Sequence, residues 1–137
     1  MIRPIMKNID FLKIPSVDLK TNELYVVDDL VHTLSFLQSH CVGMAANMIG
    51  YSKNVIVVLL NNKEILPMIN PKILNKKDLY HTEEGCLSLD GVRPADRYRK
   101  ITVEYFDKSF KKKTKTFIDF EAQIVQHEID HLFGIII

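Results

Sequence analysis

Residues 121–133 read EAQIVQHEIDHLF and are followed by Gly134. The three- and four-residue spacing of apolar positions predicts a helix over 121–133, stopped by the glycine, with Ile135, Ile136 and Ile137 leaving as a short extended tail. Phe120, Ile124, His127, Glu128 and His131 fall on one stripe, and packing by Phe120, Ile124 and Leu132 is expected to hold the helix. His127 and His131 are four residues apart, about one turn, which places the two imidazoles about 6 Å apart on one face. That spacing lets both reach a single ion, with Glu128 beside them to exchange protons with a bound water. Burying two histidines and a carboxylate unpaired costs several kcal/mol. A metal ion offsets that cost.

A third protein ligand is needed, and only LFGIII follows His131. The upstream candidates are His32, His40, Cys41, His81, Glu83, Glu84 and Cys86. Cys86 stands out because it sits in EEGCLSLDG, where Gly85 permits close backbone approach. A nearby dication would hold its sulfur as thiolate. A small buried apolar filler is the other reading of a lone cysteine, and spacing alone leaves both open.

Working outward, residues 22–38 read as an amphipathic helix, with Leu24, Val27, Leu30, Val31, Leu34 and Leu37 on its apolar side and Asn22 or Thr21 as cap. Residues 54–60 (NVIVVLL) are rich in β-branched side chains and predict a buried strand, with a hairpin through Asn61-Asn62 toward 66–69. Pro71 followed by Ile73-Leu74 suggests another extended piece. Ile101, Val103 and Tyr105 alternate with polar residues, as in a half-buried strand partnered by 112–120. The order lacks regular β-α alternation. It predicts an α+β fold of mostly antiparallel sheets packed around the C-terminal helix, with an N-terminal amphipathic helix, in a single domain over 1–137.

The net charge is +1 over 137 residues, with 47% hydrophobic and 26% charged. No whole-protein field steers the chain to nucleic acid, and no direct nucleic-acid binding is expected. Lys111-Lys112-Lys113 reads as a solvated turn. The apolar runs are too short to span a bilayer, and the first residues lack a signal-peptide core. Two cysteines cannot build a disulfide framework, so a reducing cytoplasm is the expected compartment.

Three segments together resemble the peptide deformylase family. Its motifs G-x-G-x-A-A-x-Q, E-G-C-x-S and Q-H-E-x-D-H correspond to CVGMAANM (41–48), EGCLS (84–88) and QHEIDH (126–131). The resemblance implies that Cys86, His127 and His131 hold one divalent metal ion, Fe²⁺ in cells, with Zn²⁺, Ni²⁺ or Co²⁺ able to occupy the same ligands. It implies Glu128 as general acid/base and the Leu87 backbone N–H as a donor to the formyl oxygen. Val42 and Gly43 would run beside the bound peptide. Gln126, Asp130 and Arg97 would stand behind the ligands, Arg97 pairing with Asp130. The implied reaction removes the formyl group from N-formylmethionyl peptides or nascent chains by water activated at the metal, releasing formate.

Two positions depart from the family pattern. Cys41 stands where the first Gly is usual, and is read as a redox-sensitive thiol or a small buried filler. Met48 stands where Gln is usual, and a thioether has no N–H to donate. Losing one oxyanion donor costs roughly 10²–10³ in rate. Adjacent Asn47 is not expected to substitute, because neighbouring residues face different ways. The alternative function is therefore a deformylase-like metal protein that binds formyl-peptides or small amides with little turnover. A peptidase cleaving internal bonds is disfavoured by the lack of a downstream ligand. The chain also reads as a compact variant that ends just beyond the metal helix.

Overall fold

A computed structural model describes residues 1–86 and 88–136, with Leu89 described by its backbone alone. Its elements in chain order are a short helix α1 (Ile9–Leu12), a 3₁₀ turn (Thr21–Glu23), α2 (Tyr25–Leu37), β1 (Gly43–Ala45), a second 3₁₀ turn (Ala46–Ile49), β2 (Val55–Leu59), β3 (Ile65–Cys86), β4 (Leu89–Phe106), β5 (Lys112–Ile118) and α3 (Asp119–Leu132).

The five strands form one antiparallel sheet in the order β1-β2-β3-β4-β5, each beside its neighbour in sequence. All five residues of β2 are buried, so both of its faces are covered. Continuous β-branched sequence suits a strand in that position. Val27, Leu30 and Leu34 of α2 are fully buried, and Val125, Ile129 and Leu132 of α3 are nearly so. Each such side chain contributes roughly 1.5–3 kcal/mol by leaving water.

β3 and β4 make a long hairpin that carries Cys86 to its tip. Its ladder is interrupted between Ile69 and Lys72, where Pro71 has no N–H to give. Asn70 takes a left-handed φ of 50° there, and its side chain bonds the backbone of Leu19 in both directions. The extended piece expected around Ile73-Leu74 is the middle of this one strand.

Three expectations need correction. Neither Thr21 nor Asn22 caps α2. The chain enters it through the first 3₁₀ turn, where the Glu23 carboxylate accepts from the Lys20 N–H, and Leu24 stands at the N-cap without a side-chain bond. Phe120 does not pack the helix inward: it is 54% exposed in the first turn of α3, whereas Ile124 and Leu132 are buried as expected. Lys112 and Lys113 open β5 rather than forming a turn, although both are exposed.

Gly134 ends α3 as predicted. Its φ is +79°, and a Cβ there would lie 2.2 Å from the Lys13 carbonyl oxygen. The Gly134 and Ile135 N–H groups close the helix end on His131 and Asp130 carbonyls. Ile137 lies outside the described residues.

Candidate metal centre

α3 presents His127 and His131 one turn apart, with ring centroids 4.6 Å apart and the two Nε2 atoms 2.9 Å apart. The β3–β4 hairpin brings Cys86 to them. The Cys86 sulfur and one nitrogen from each imidazole all lie within 4.8 Å of one another. His127 and His131 are buried and Cys86 is partly exposed.

These donors suit a dication. The Glu84 carboxylate sits 2.7 Å from His127 Nδ1, which places the ring proton on that nitrogen and leaves the Nε2 lone pair facing His131. The two Nε2 atoms, 2.9 Å apart, are close enough to share either one hydrogen-bond proton or one metal ion. A thiol and two imidazoles are a borderline-to-soft set suited to Zn²⁺, Fe²⁺ and their neighbours. Glu128 Oε1 is buried beside them without a hydrogen-bond partner among the described residues.

Electrostatics separate these groups sharply. Burial opposes charging of His127, but its bonds to Cys86 and Glu84 outweigh that and push it up to about 10 without an ion. His131 is driven down to about 3, by burial and then by the His127 cation. Burial pushes Glu128 up to about 7. Burial opposes ionisation of Glu84 too, yet hydrogen bonds from His127 and Arg97 hold it at about 2.

A layer of polar contacts backs the ligands. Arg97 donates to both Glu84 oxygens and, at 2.7 Å, to Asp130 Oδ2, the pairing expected from the sequence. Gln126 accepts from the Tyr98 N–H at 2.9 Å and donates to the Tyr98 carbonyl at 2.8 Å, stitching α3 to β4 like an added ladder rung. Glu84, weighed in the sequence as a ligand, instead links Arg97 to His127. Asn47 donates to the His131 carbonyl at 2.8 Å, a contact that no sequence pattern announced.

The centre opens into a cavity of about 650 Å³ lined by Cys41, Val42, Gly43, Met48, Cys86, Ile124, His127 and Glu128, with Phe120 and Glu83 also on its wall. Gly43 is there for space: a Cβ would lie 2.7 Å from Ile124 Cγ2 and 3.0 Å from Glu128 Oε2. Val42 is 37% exposed, and its carbonyl takes the Leu59 N–H. The Met48 sulfur accepts from the Ala45 N–H at 3.4 Å and offers the cavity no donor. Cys41 shares the cavity, and burial and the nearby Glu128 carboxylate push its thiol up to about 11, which leaves it protonated. The Leu87 N–H lies outside the described residues. His32 binds the N-terminal ammonium and His81 pairs with Asp96 on the exposed hairpin, so neither joins the cluster.

A family model described as polypeptide deformylase matches residues 5–137. A peptide deformylase of Clostridium beijerinckii is 52% identical over 137 residues, covering 100% of both chains. Among solved structures, the Met-Ala-Ser-bound class I type b peptide deformylase from Acinetobacter baumannii superimposes with a TM-score of 0.86 at 32% identity, covering 99% of this chain and 96% of that one. Peptide deformylase from Thermotoga maritima gives a TM-score of 0.88 at 26% identity, over 99% and 95% of the two chains.

Proposed function

Because the chain belongs to the polypeptide deformylase family, we propose that it hydrolyses the N-formyl group of N-formylmethionyl peptides and nascent chains at a metal held by Cys86, His127 and His131. One observation carries this reading. A thiol and two imidazoles converge beside a buried carboxylate with one oxygen unpartnered among the described residues, on the wall of a cavity of about 650 Å³.

A dication in that position would supply a water of lowered pKa and polarise the formyl carbonyl. Fe²⁺ is the proposed ion in cells, with Zn²⁺, Ni²⁺ and Co²⁺ as substitutes on the same donors. Glu128 handles the proton. Without an ion, burial pushes its carboxyl up to about 7, so both its forms are present near neutral pH. It can therefore take a proton from water and return it to the leaving amine. Gly43, lacking a Cβ, leaves Glu128 its room. The backbone at Val42 and Gly43 borders the cavity where the peptide would lie, and the Leu87 N–H is proposed as the donor to the formyl oxygen.

Glu84 fixes the His127 tautomer, and Arg97 keeps Glu84 ionised while also holding Asp130. The cytoplasm, where formylated chains emerge, is the proposed compartment. Among the described residues no helix is long and apolar enough to cross a membrane.

Met48 favours a second reading. Its sulfur is turned to the Ala45 N–H and it has no proton to donate, so the chain could bind formyl-peptides with little turnover. Formate release from formyl-Met-Ala-Ser by Fe²⁺- or Co²⁺-loaded protein separates the two. Turnover supports the hydrolase. Peptide binding without formate release supports the binding protein.

A further inference from the structure

We propose that Asn47 is a positioning residue for the ligand His131, an assignment that rests on the metal-centre reading above. Asn47 has 0% exposure and lies among the apolar core residues Ala45, Ala46, Met48 and Ile49. A primary amide in such surroundings is costly unless it is bonded. Its Nδ2 donates to the His131 carbonyl oxygen at 2.8 Å, across 84 residues of chain. Its Oδ1 is buried with no partner, so that one bond is the amide's whole hydrogen bonding among the described residues.

The location of the bond gives it a function. His131 stands in the last turn of α3, where helix carbonyls lack an intrahelical partner and the backbone tends to fray. Its carbonyl receives both the Gly134 N–H at 3.0 Å and the Asn47 amide. The N-terminal segment closes the clamp from outside, with the Met6 N–H on the Met48 carbonyl at 2.7 Å and the Ser16 N–H on the Leu132 carbonyl at 2.8 Å. The 3₁₀ turn bearing Asn47 and the end of the metal helix are thus tied together. His127 is steadied through its ring by Glu84, and His131 through its backbone by Asn47. Losing the amide frees the last turn of α3, and with it the placement of His131 Nε2 against His127 and Cys86.

The test titrates metal-free wild type and Asn47→Ala with Co²⁺ and records the visible absorption of the bound ion. Asn47→Ala is expected to bind Co²⁺ about tenfold or more weakly and to shift the absorption bands. Thr33→Val serves as a control, since Thr33 is equally buried but its hydroxyl, among the described residues, bonds only Arg3 and Asp29. It should lower stability and leave Co²⁺ affinity and spectrum unchanged. A folded Asn47→Ala with wild-type affinity and spectrum overturns the assignment. If wild type itself binds no Co²⁺, the metal-centre reading fails instead. Should Asn47→Ala not fold, NMR of wild type decides. The Asn47 side-chain amide protons should exchange slowly and shift on Zn²⁺ loading, and an unshifted signal overturns the assignment.

Discussion

Glu84 Oε1 lies 2.7 Å from His127 Nδ1, and this contact decides which nitrogen of His127 is left for an ion. The carboxylate is itself held by the Arg97 guanidinium, at 2.7 Å from Nη2 and 2.9 Å from Nε. Arg97 also reaches Asp130, three residues beyond His127 on the same helix. The hairpin that delivers Cys86 thus also delivers the group that orients one of its partner ligands.

Glu84→Gln should therefore weaken metal binding by about 10–100-fold, since the amide is a poorer acceptor for the ring N–H. Arg97 would keep Asp130 but lose the other of its two carboxylate partners in a buried setting, at a cost of about 1–3 kcal/mol. Calorimetric Zn²⁺ titration and urea unfolding measure the two effects. Unchanged Zn²⁺ affinity would show that His127 needs no such orientation.

Met48→Gln should raise turnover. The side chain is 2% exposed, lines the cavity and carries no donor. A single donor to a developing oxyanion is typically worth roughly 10²–10³ in rate. Comparison of kcat for formate release tests this, and equal kcat in the two proteins would mean that another group already fills the role.

How much of this was legible in the sequence follows from what each residue faces. The α3 stripe could be read because Ile124, His127, Glu128 and His131 all point inward. It misled at Phe120, which sits in the first turn, where the helix has only just begun and the cavity wall replaces the core. β2 announced itself by continuous β-branched burial. β3 did not, because its middle from Lys76 to Leu79 is exposed and carries no two-residue alternation of apolar side chains. The Arg97–Asp130 pair was found through resemblance to a known motif. Glu84 is by residue type one of several upstream candidate ligands beside Cys86, and only the fold shows its carboxylate turned to the back of His127. Asn47 was invisible because its partner is a backbone carbonyl, which has no sequence signature.

Leu132→Ala should cost about 2–5 kcal/mol, because Leu132 is 4% exposed within the core. Phe120→Ala, at a position 54% exposed, should change stability by less than about 1 kcal/mol. Urea midpoints of the two variants check the orientation of α3. Equal losses would mean the helix is rotated from the one described.

Acid should expose a second feature, away from the metal. Burial pushes the Asp29 carboxyl up, but the Tyr51 hydroxyl and the N-terminal ammonium outweigh it and hold the carboxyl below its ordinary value. A depressed carboxylate contributes stability that is full above its unfolded pKa, about 3.9, and fades as pH falls through the lower folded value. Asp29→Asn should flatten the loss of stability below about pH 4. Chemical denaturation across pH 5 to about 2 reads the slope, and identical slopes would remove Asp29 from the account.

Formate release from formyl-Met-Ala-Ser tests the central claim most directly, measured for metal-loaded wild type, the same protein after chelation, and metal-loaded Glu128→Ala. The account predicts formate from the first alone, with the ion still bound in Glu128→Ala. Formate production that survives both chelation and loss of Glu128 would contradict it.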